Sequence, residues 1–200
     1  MASTDWTQIT DGVSGSSSII DDSGGGAPSA TSLRTMDAIT YQNITGGAIT
    51  DTQVVLWIRE NRINAALGSG EVALRSQDTL YDTGTKYTLE TNAGDAGGAT
   101  LRMRICRWNA GVITQLQIFN VTTGSRTAWQ KWRFGCITSG SNVLLRLEWW
   151  NGASWDVVCD TIDASADRIT SAGSVRIGNC STNGDEGNTY FDDVEINSLA

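Results

Sequence analysis

The densest group of metal-ligating side chains in this 200-residue chain lies near its C-terminus, where Asp185, Glu186, Asn188, Asp192 and Asp193 fall within nine residues. A hard cation such as calcium collects about six to eight oxygens from carboxylates and carbonyls, so this group is a candidate calcium site. Its spacing is not that of an EF-hand. The same residues would serve equally as a solvated acidic loop with one strand carboxylate hydrogen-bonded to backbone. Ser-His-Asp, Cys-His and His-zinc chemistry are closed off at the outset, because the chain contains no histidine, the commonest general base and transition-metal ligand.

A second kind of chemistry is carried by aromatics. Sugars are held by exposed aromatic faces with Asn, Asp or Arg nearby for the hydroxyls. Trp108, which follows Arg102 and Arg104, and Trp150, beside Asn151, have that composition. With eight tryptophans in the chain, most are expected in a core or a subunit contact. Cys106, Cys136, Cys159 and Cys180 are widely spaced and form no CxxC pair, so they are expected as buried free thiols rather than a metal clamp.

These residues must be positioned by strands. Glycine is frequent at 22 residues, proline occurs once, and Ser, Thr, Asn and Asp are abundant, which favours many turns between short strands. From Val54, Val54-Leu56-Ile58 alternate with Val55-Trp57-Arg59, apolar on both faces over the first half, as in a strand at mid-sheet. Glu71 to Arg75 and Lys86 to Thr91 read as two more strands. Leu101, Met103 and Ile105 share one face and Arg102, Arg104 and Cys106 the other, followed by a turn at Asn109-Ala110-Gly111 and a hairpin partner from Gln115 to Val121. Trp132, Phe134 and Cys136 share a face, and Trp149 to Trp155 reads as two strands around Asn151-Gly152. In the closing strand from Tyr190, the alternation places Tyr190, Val194 and Ile196 toward a core and Phe191, Asp193 and Glu195 away from it. Eleven to fourteen strands and almost no helix are expected, in one domain.

Residues 1–30 are rich in Gly, Ser and Asp and are expected as an irregular arm, with the sandwich spanning residues 31–200. Trp6, Ile9, Ile19 and Ile20 are the arm's anchors for an assembly contact. The competing reading makes this stretch a strand of the sandwich, with Trp6, Ile19 and Ile20 beside Val194 and Ile196.

Four segments occur in order through residues 129–196: Trp129-Gln130-Lys131-Trp132-Arg133-Phe134, Trp149-Trp150-Asn151-Gly152-Ala153-Ser154-Trp155, Ala172 to Gly178, and Tyr190-Phe191-Asp192-Asp193-Val194-Glu195-Ile196. Together they resemble the concanavalin A-like jelly-roll domains, a group of lectin, laminin-G-like, carbohydrate-binding and glucanase sandwiches found in phage and bacterial surface proteins. The resemblance implies an all-β jelly-roll β-sandwich of two antiparallel sheets. It also implies a structural calcium held by an aspartate of the closing strand, Asp192 or Asp193, to which Asp185 is added from the preceding loop. The glucanase branch supplies its catalytic carboxylates as Glu-x-Asp-x-Glu on one strand. No such triplet occurs here, and a non-catalytic protein is expected.

The net charge of -8 argues against nucleic acid as a partner. The N-terminus has no basic and apolar leader pattern, and no apolar run reaches membrane-spanning length. The expectation is a virion structural protein made in a host cytoplasm without a signal peptide and displayed on the particle surface, as a tailed-phage capsid decoration or tail-associated protein. Its partners would be capsid or tail proteins, further copies of itself (a trimer among the arrangements) and cell-surface glycans. A free carbohydrate-binding module, and after it a glycoside hydrolase, are the alternatives.

Overall fold

Alternation of apolar and polar residues over runs of 5 to 11 residues builds fourteen strands, and two-residue turns join two successive pairs, at residues 110–111 and 140–141. A computed structural model describes residues 47–61, 70–77, 84–92, 100–123, 127–179 and 188–199, together with the backbone of four short strands before residue 47. In chain order the strands are β1 (Trp6–Thr10), β2 (Ser17–Asp21), β3 (Thr31–Thr35), β4 (Ile39–Asn43), β5 (Thr52–Asn61), β6 (Gly70–Ser76), β7 (Lys86–Asn92), β8 (Thr100–Asn109), β9 (Val112–Thr122), β10 (Gln130–Ser139), β11 (Asn142–Trp150), β12 (Trp155–Asp163), β13 (Ser174–Asn179) and β14 (Asn188–Ser198). They form two seven-stranded sheets, ordered β1-β4-β13-β6-β7-β8-β9 in the first and β12-β11-β10-β5-β14-β3-β2 in the second. Every ladder is antiparallel. This is the all-β jelly-roll sandwich expected from the sequence.

The inner faces meet in one apolar core. β5 supplies Val54, Leu56 and Ile58, β10 supplies Trp132, Phe134 and Cys136, and β11 supplies Val143, Leu145 and Leu147; from the first sheet come Val72, Leu74, Tyr87, Leu89, Leu101, Met103 and Ile105. β5 lies fourth of seven in its sheet, the central place that its two-sided apolar pattern predicts.

Turn chemistry follows the sequence. Ala110 and Gly111 both have positive φ, 48° and 84°, the geometry of a two-residue hairpin that matches strand twist. The Asn151-Gly152 signal opens a four-residue loop instead of a two-residue one. Asn151 accepts the amides of Ala153 and Ser154, each at 2.9 Å, and Gly152 takes φ 102°.

One end of the sandwich is closed by Arg75. Its φ of 50° takes it off the ladder, and its buried guanidinium spans both sheets. It donates to the Thr50 and Ile169 carbonyls, each at 2.6 Å, to Asp51 at 3.0 Å and to Thr138 at 2.8 Å. Gly173 lies flat on this corner, bridged to Ile49, and a Cβ at Gly173 would sit 2.3 Å from the Arg75 carbonyl carbon.

Two expectations are corrected. Residues 1–30 do not form an irregular arm throughout: β1 pairs along β4, Trp6 opposite Asn43 and Ile9 opposite Thr40, while β2 pairs along β3, Ile19 opposite Leu33 and Ile20 opposite Ser32. The partners that order these short strands lie elsewhere in the chain, so local composition does not reveal them. They are not beside β14 either, whose neighbours are β5 and β3. In β14 the register breaks between Asp192 and Glu195, with Asp193 at φ 45°. The bulge shifts the phase of the strand. Phe191 is therefore a fully buried core residue, alongside Val194 and Ile196, and Tyr190 faces outward.

Candidate functional site

The outward face of the first sheet carries an unusual concentration of buried charge. Register places Glu71 of β6 opposite Glu90 of β7, and Glu90 opposite Arg104 of β8. Glu71 and Lys86, both with fully buried side chains, are joined at 2.7 Å, and Glu90 pairs with Arg104 at 2.6 Å. Burial pushes the Glu71 carboxyl above the usual range, against the pull of Lys86. Two adjacent carboxylates were not visible in the sequence, because cross-strand register, unlike spacing along one strand, sets them together.

Trp108, Arg102 and Arg104 come to this face, yet they do not form an open sugar platform. The Trp108 ring is 6% exposed. Its indole N–H lies 3.2 Å from Glu90 and 3.3 Å from Thr88, and the Lys86 ammonium stands 5.0 Å over the ring. Arg104 is engaged by Glu90, and of the three only Arg102 is exposed. The other two expected glycan residues, Trp150 and Asn151, belong to β11 and its turn in the second sheet. The five residues thus divide between opposite faces and cannot act as one site. Asn151 is the pivot of its turn, also donating to Ser154 and Asp156 at 3.1 and 2.9 Å.

The second sheet's outward face is more open. Trp150 lies opposite Trp155, Lys131 opposite Trp57, and Trp57 opposite Asp192; Lys131 and Trp150 directly flank the paired Trp132 and Trp149. One row therefore crosses β12, β11, β10, β5 and β14. Trp57, Lys131, Trp150 and Trp155 are all half-buried. The Trp150 and Trp155 rings meet edge to face at 5.5 Å, and Lys131 sits 5.6 Å over Trp57. A neighbouring row contains Arg133, bound to Glu148 at 2.5 and 2.6 Å and stacked 4.5 Å over Trp155. Arg59 lies between Trp129 and Tyr190, 5.1 and 4.2 Å from their rings. Beside Lys131, the bulge of β14 opens a cleft of 310 Å³ lined by Val55, Lys131, Asp193, Val194 and Glu195.

For calcium, the described residues offer a smaller set than the sequence suggests. The buried Asp192 carboxylate accepts the Asp193 amide at 2.8 Å, which locks the bulge, while the Asp193 side chain is exposed. Among the described residues no three His, Cys, Asp or Glu side chains are grouped to hold a metal. Asp185 lies outside the described residues. Cys106, Cys136 and Cys159 are buried free thiols, as expected, and burial pushes the first two up to about 12.

Two antiparallel sheets with this topology give the chain a jelly-roll β-sandwich fold, which it shares with solved structures of a carbohydrate-binding module and a legume lectin-like domain. No family model matches the chain, and no curated protein does. Similar solved structures include a carbohydrate-binding module of Bacillus subtilis, CBM66, with 15% identity, 97% of this chain and 96% of that one covered, and a TM-score of 0.61. The exoplasmic/lumenal domain of VIP36, in its Ca2+/Man3GlcNAc-bound form, aligns at 9% identity, 98% and 86% coverage and a TM-score of 0.63. The CBM2 module of the evolved Dit of Lactobacillus casei BL23 phage J-1 aligns at 11% identity, 100% and 94% coverage and a TM-score of 0.51.

Proposed function

We propose that the protein is a non-catalytic carbohydrate-binding sandwich whose sugar site is the outward face of the second sheet. The observation that carries this reading is the row Trp155-Trp150-Lys131-Trp57 beside the 310 Å³ cleft at Asp193 and Glu195. Flat indole faces suit the apolar faces of pyranose rings, and carboxylates with an ammonium nearby accept and donate to hydroxyls. Two carboxylates against one lysine at the cleft, on a chain of charge -8, favour neutral or amino sugars over sulfated or uronate chains.

A binding role is also supported by the treatment of the carboxylates. Glu71 and Glu90, though opposite each other, are fully covered and each held by a cation. Glu148, on the open face, is clamped by Arg133. A carboxylate so paired is poorly disposed to act as nucleophile or acid.

The finer reading is a sandwich displayed on a tailed-phage particle, where it would contact capsid or tail proteins and present its sugar face to the host surface. The phage Dit module among the similar structures supports this. A structural calcium near Asp192 and Asp193 belongs to the same reading, because a lectin-like domain among the similar structures is Ca2+-bound.

The test is titration of the purified chain against an array of neutral, amino and acidic polysaccharides, followed by Trp57→Ala and Trp150→Ala. Loss of roughly tenfold or more in affinity in either variant, with an unchanged melting temperature, is expected from removing a stacking face of about 1.5 kcal/mol. Binding that survives both substitutions overturns the site. Mass spectrometry of purified particles from the natural source tests the display.

A further inference from the structure

Lys131 interrupts the aromatic row of the second sheet. Register sets it on β10 between Trp150 of β11 and Trp57 of β5. The two indoles therefore stand two strands apart, about 10 Å at the usual strand spacing, with one lysine between them. A glycan that stacks on both must cross the place that Lys131 holds. In the free protein the ammonium leans to one side, 5.6 Å over the Trp57 ring, and shields part of the surface that a sugar would use.

The same lysine lines the 310 Å³ cleft together with Asp193 and Glu195. Both carboxylates are exposed, and neither they nor Lys131 take part in any ion pair among the described residues. The arginines of this face are engaged. Arg133 is bound to Glu148 and Arg146 to Asp160, and Arg59 lies between the Trp129 and Tyr190 rings. One ammonium and two carboxylates at a single cleft thus stand unmatched where the neighbouring charges are matched.

The two places open to the ammonium are close in free energy. A cation on an exposed indole and an exposed lysine–carboxylate pair are weak contacts of the same order, and the flexible lysine stem lets the head swing with no backbone movement. A group with two nearly equal positions is shifted by any ligand that favours one of them. We infer that Lys131 is a movable gate that sets the specificity of the sugar face: a ring stacking on Trp57 displaces the ammonium into the cleft, where Asp193 and Glu195 receive it. The aromatic row from Trp155 to Trp57 is then continuous. Because the protein's own cation occupies the carboxylates, the ammonium of an amino sugar finds none free, and the class admitted is a neutral polysaccharide. The inference rests on the sugar reading of this face.

Two measurements test it. Acrylamide quenching of tryptophan fluorescence in the ligand-free chain reads the cap: Lys131→Ala is expected to raise it, and the rise to vanish when Trp57→Phe is added. Affinity for the tightest-binding neutral polysaccharide of the array reads the gate. Asp193→Asn with Glu195→Gln is expected to weaken binding about threefold in the wild-type background and to have no effect beside Lys131→Ala, since the carboxylates act through the lysine alone. A loss that persists in Lys131→Ala shows the carboxylates touching the sugar and overturns the gate. So does quenching that Lys131→Ala leaves unchanged, or an amino polysaccharide bound more tightly than the neutral one. In each of these cases binding still depends on Trp57 and Trp150, and the sugar face stands. A chain that binds no polysaccharide overturns the face itself, and the gate with it.

Discussion

Tyr87, on β7 of the first sheet, donates its hydroxyl hydrogen to the Asp163 carboxylate at the end of β12 in the second, 2.8 Å across the sandwich. Asp163 also receives the Arg107 guanidinium at 2.9 Å and the Ser165 hydroxyl at 2.6 Å, and the Tyr87 oxygen accepts the Ile169 amide at 3.0 Å. The two sheets and the loop after β12 are thereby held at one polar junction. Burial alone would raise the Asp163 carboxyl, but the bonds from Ser165, Arg107 and Tyr87 outweigh it and hold the group below its usual range.

Stability should therefore fall with acid in a defined sense. A carboxyl depressed on folding stabilises the folded state at pH values above its unfolded pKa of about 3.9, and that contribution is lost as pH drops through the lower folded value. Asp163→Asn leaves the buried Arg107 with only the exposed Asp167 carboxylate, 3.9 Å away, as a charge partner, at a cost of about 3 kcal/mol at neutral pH. Melting temperatures measured from pH 7 to pH 2 should show the variant less stable than wild type at pH 7 and the gap narrowing toward pH 2. A constant gap would remove Asp163 as the acid-sensitive group.

Glycine substitutions should rank by what they strike. At Gly173 a Cβ meets Arg75 backbone at 2.3 Å, which cannot swing aside as a side chain can, and Gly173→Ala should lose about 3 kcal/mol. At Gly140 nothing lies within 4 Å but φ is +61°, so Gly140→Ala should lose only the left-handed penalty of about 1 kcal/mol. Denaturant melts of the two variants check the order, and equal losses would contradict it.

The three buried thiols should be chemically silent in the native state. Thiolate is the reactive form, and burial raises all of Cys106, Cys136 and Cys159. An aromatic disulfide reagent at pH 8 should release at most one equivalent from the folded protein, from Cys180, and four after unfolding in denaturant. Rapid release of two or more from the native protein would show that the core opens.

The bulge of β14 gives a way to separate calcium from a hydrogen-bonded lock. Asp192→Ala removes the acceptor of the Asp193 amide and should lower the melting temperature equally with and without chelator. If instead chelator lowers the wild type and leaves the variant unchanged, the carboxylate serves a bound ion, because a ligand held only by the native state stabilises it by mass action.

What could be read from the residues alone was whatever depends on a strand's own alternation. Val54-Leu56-Ile58, Leu101-Met103-Ile105 and Trp132-Phe134-Cys136 declare their inward faces by period two, and all nine are in the core. Glycines and asparagines marked the turns between them, and from these an all-β chain of many strands followed; its arrangement as two sheets came from the resemblance carried by residues 129–196. What needed the tertiary structure was everything set by partners distant in sequence. β1 and β2 are ordered by ladders to β4 and β3 rather than by their own composition. A single left-handed residue, Asp193, reversed the faces of Tyr190 and Phe191, since one inserted residue shifts a period-two pattern by half. Trp57 and Lys131 are 74 positions apart and Glu71 and Glu90 are 19, yet register makes each a cross-strand pair. Alternation is a local property of the chain, whereas adjacency across a ladder is decided only when the sheets have closed.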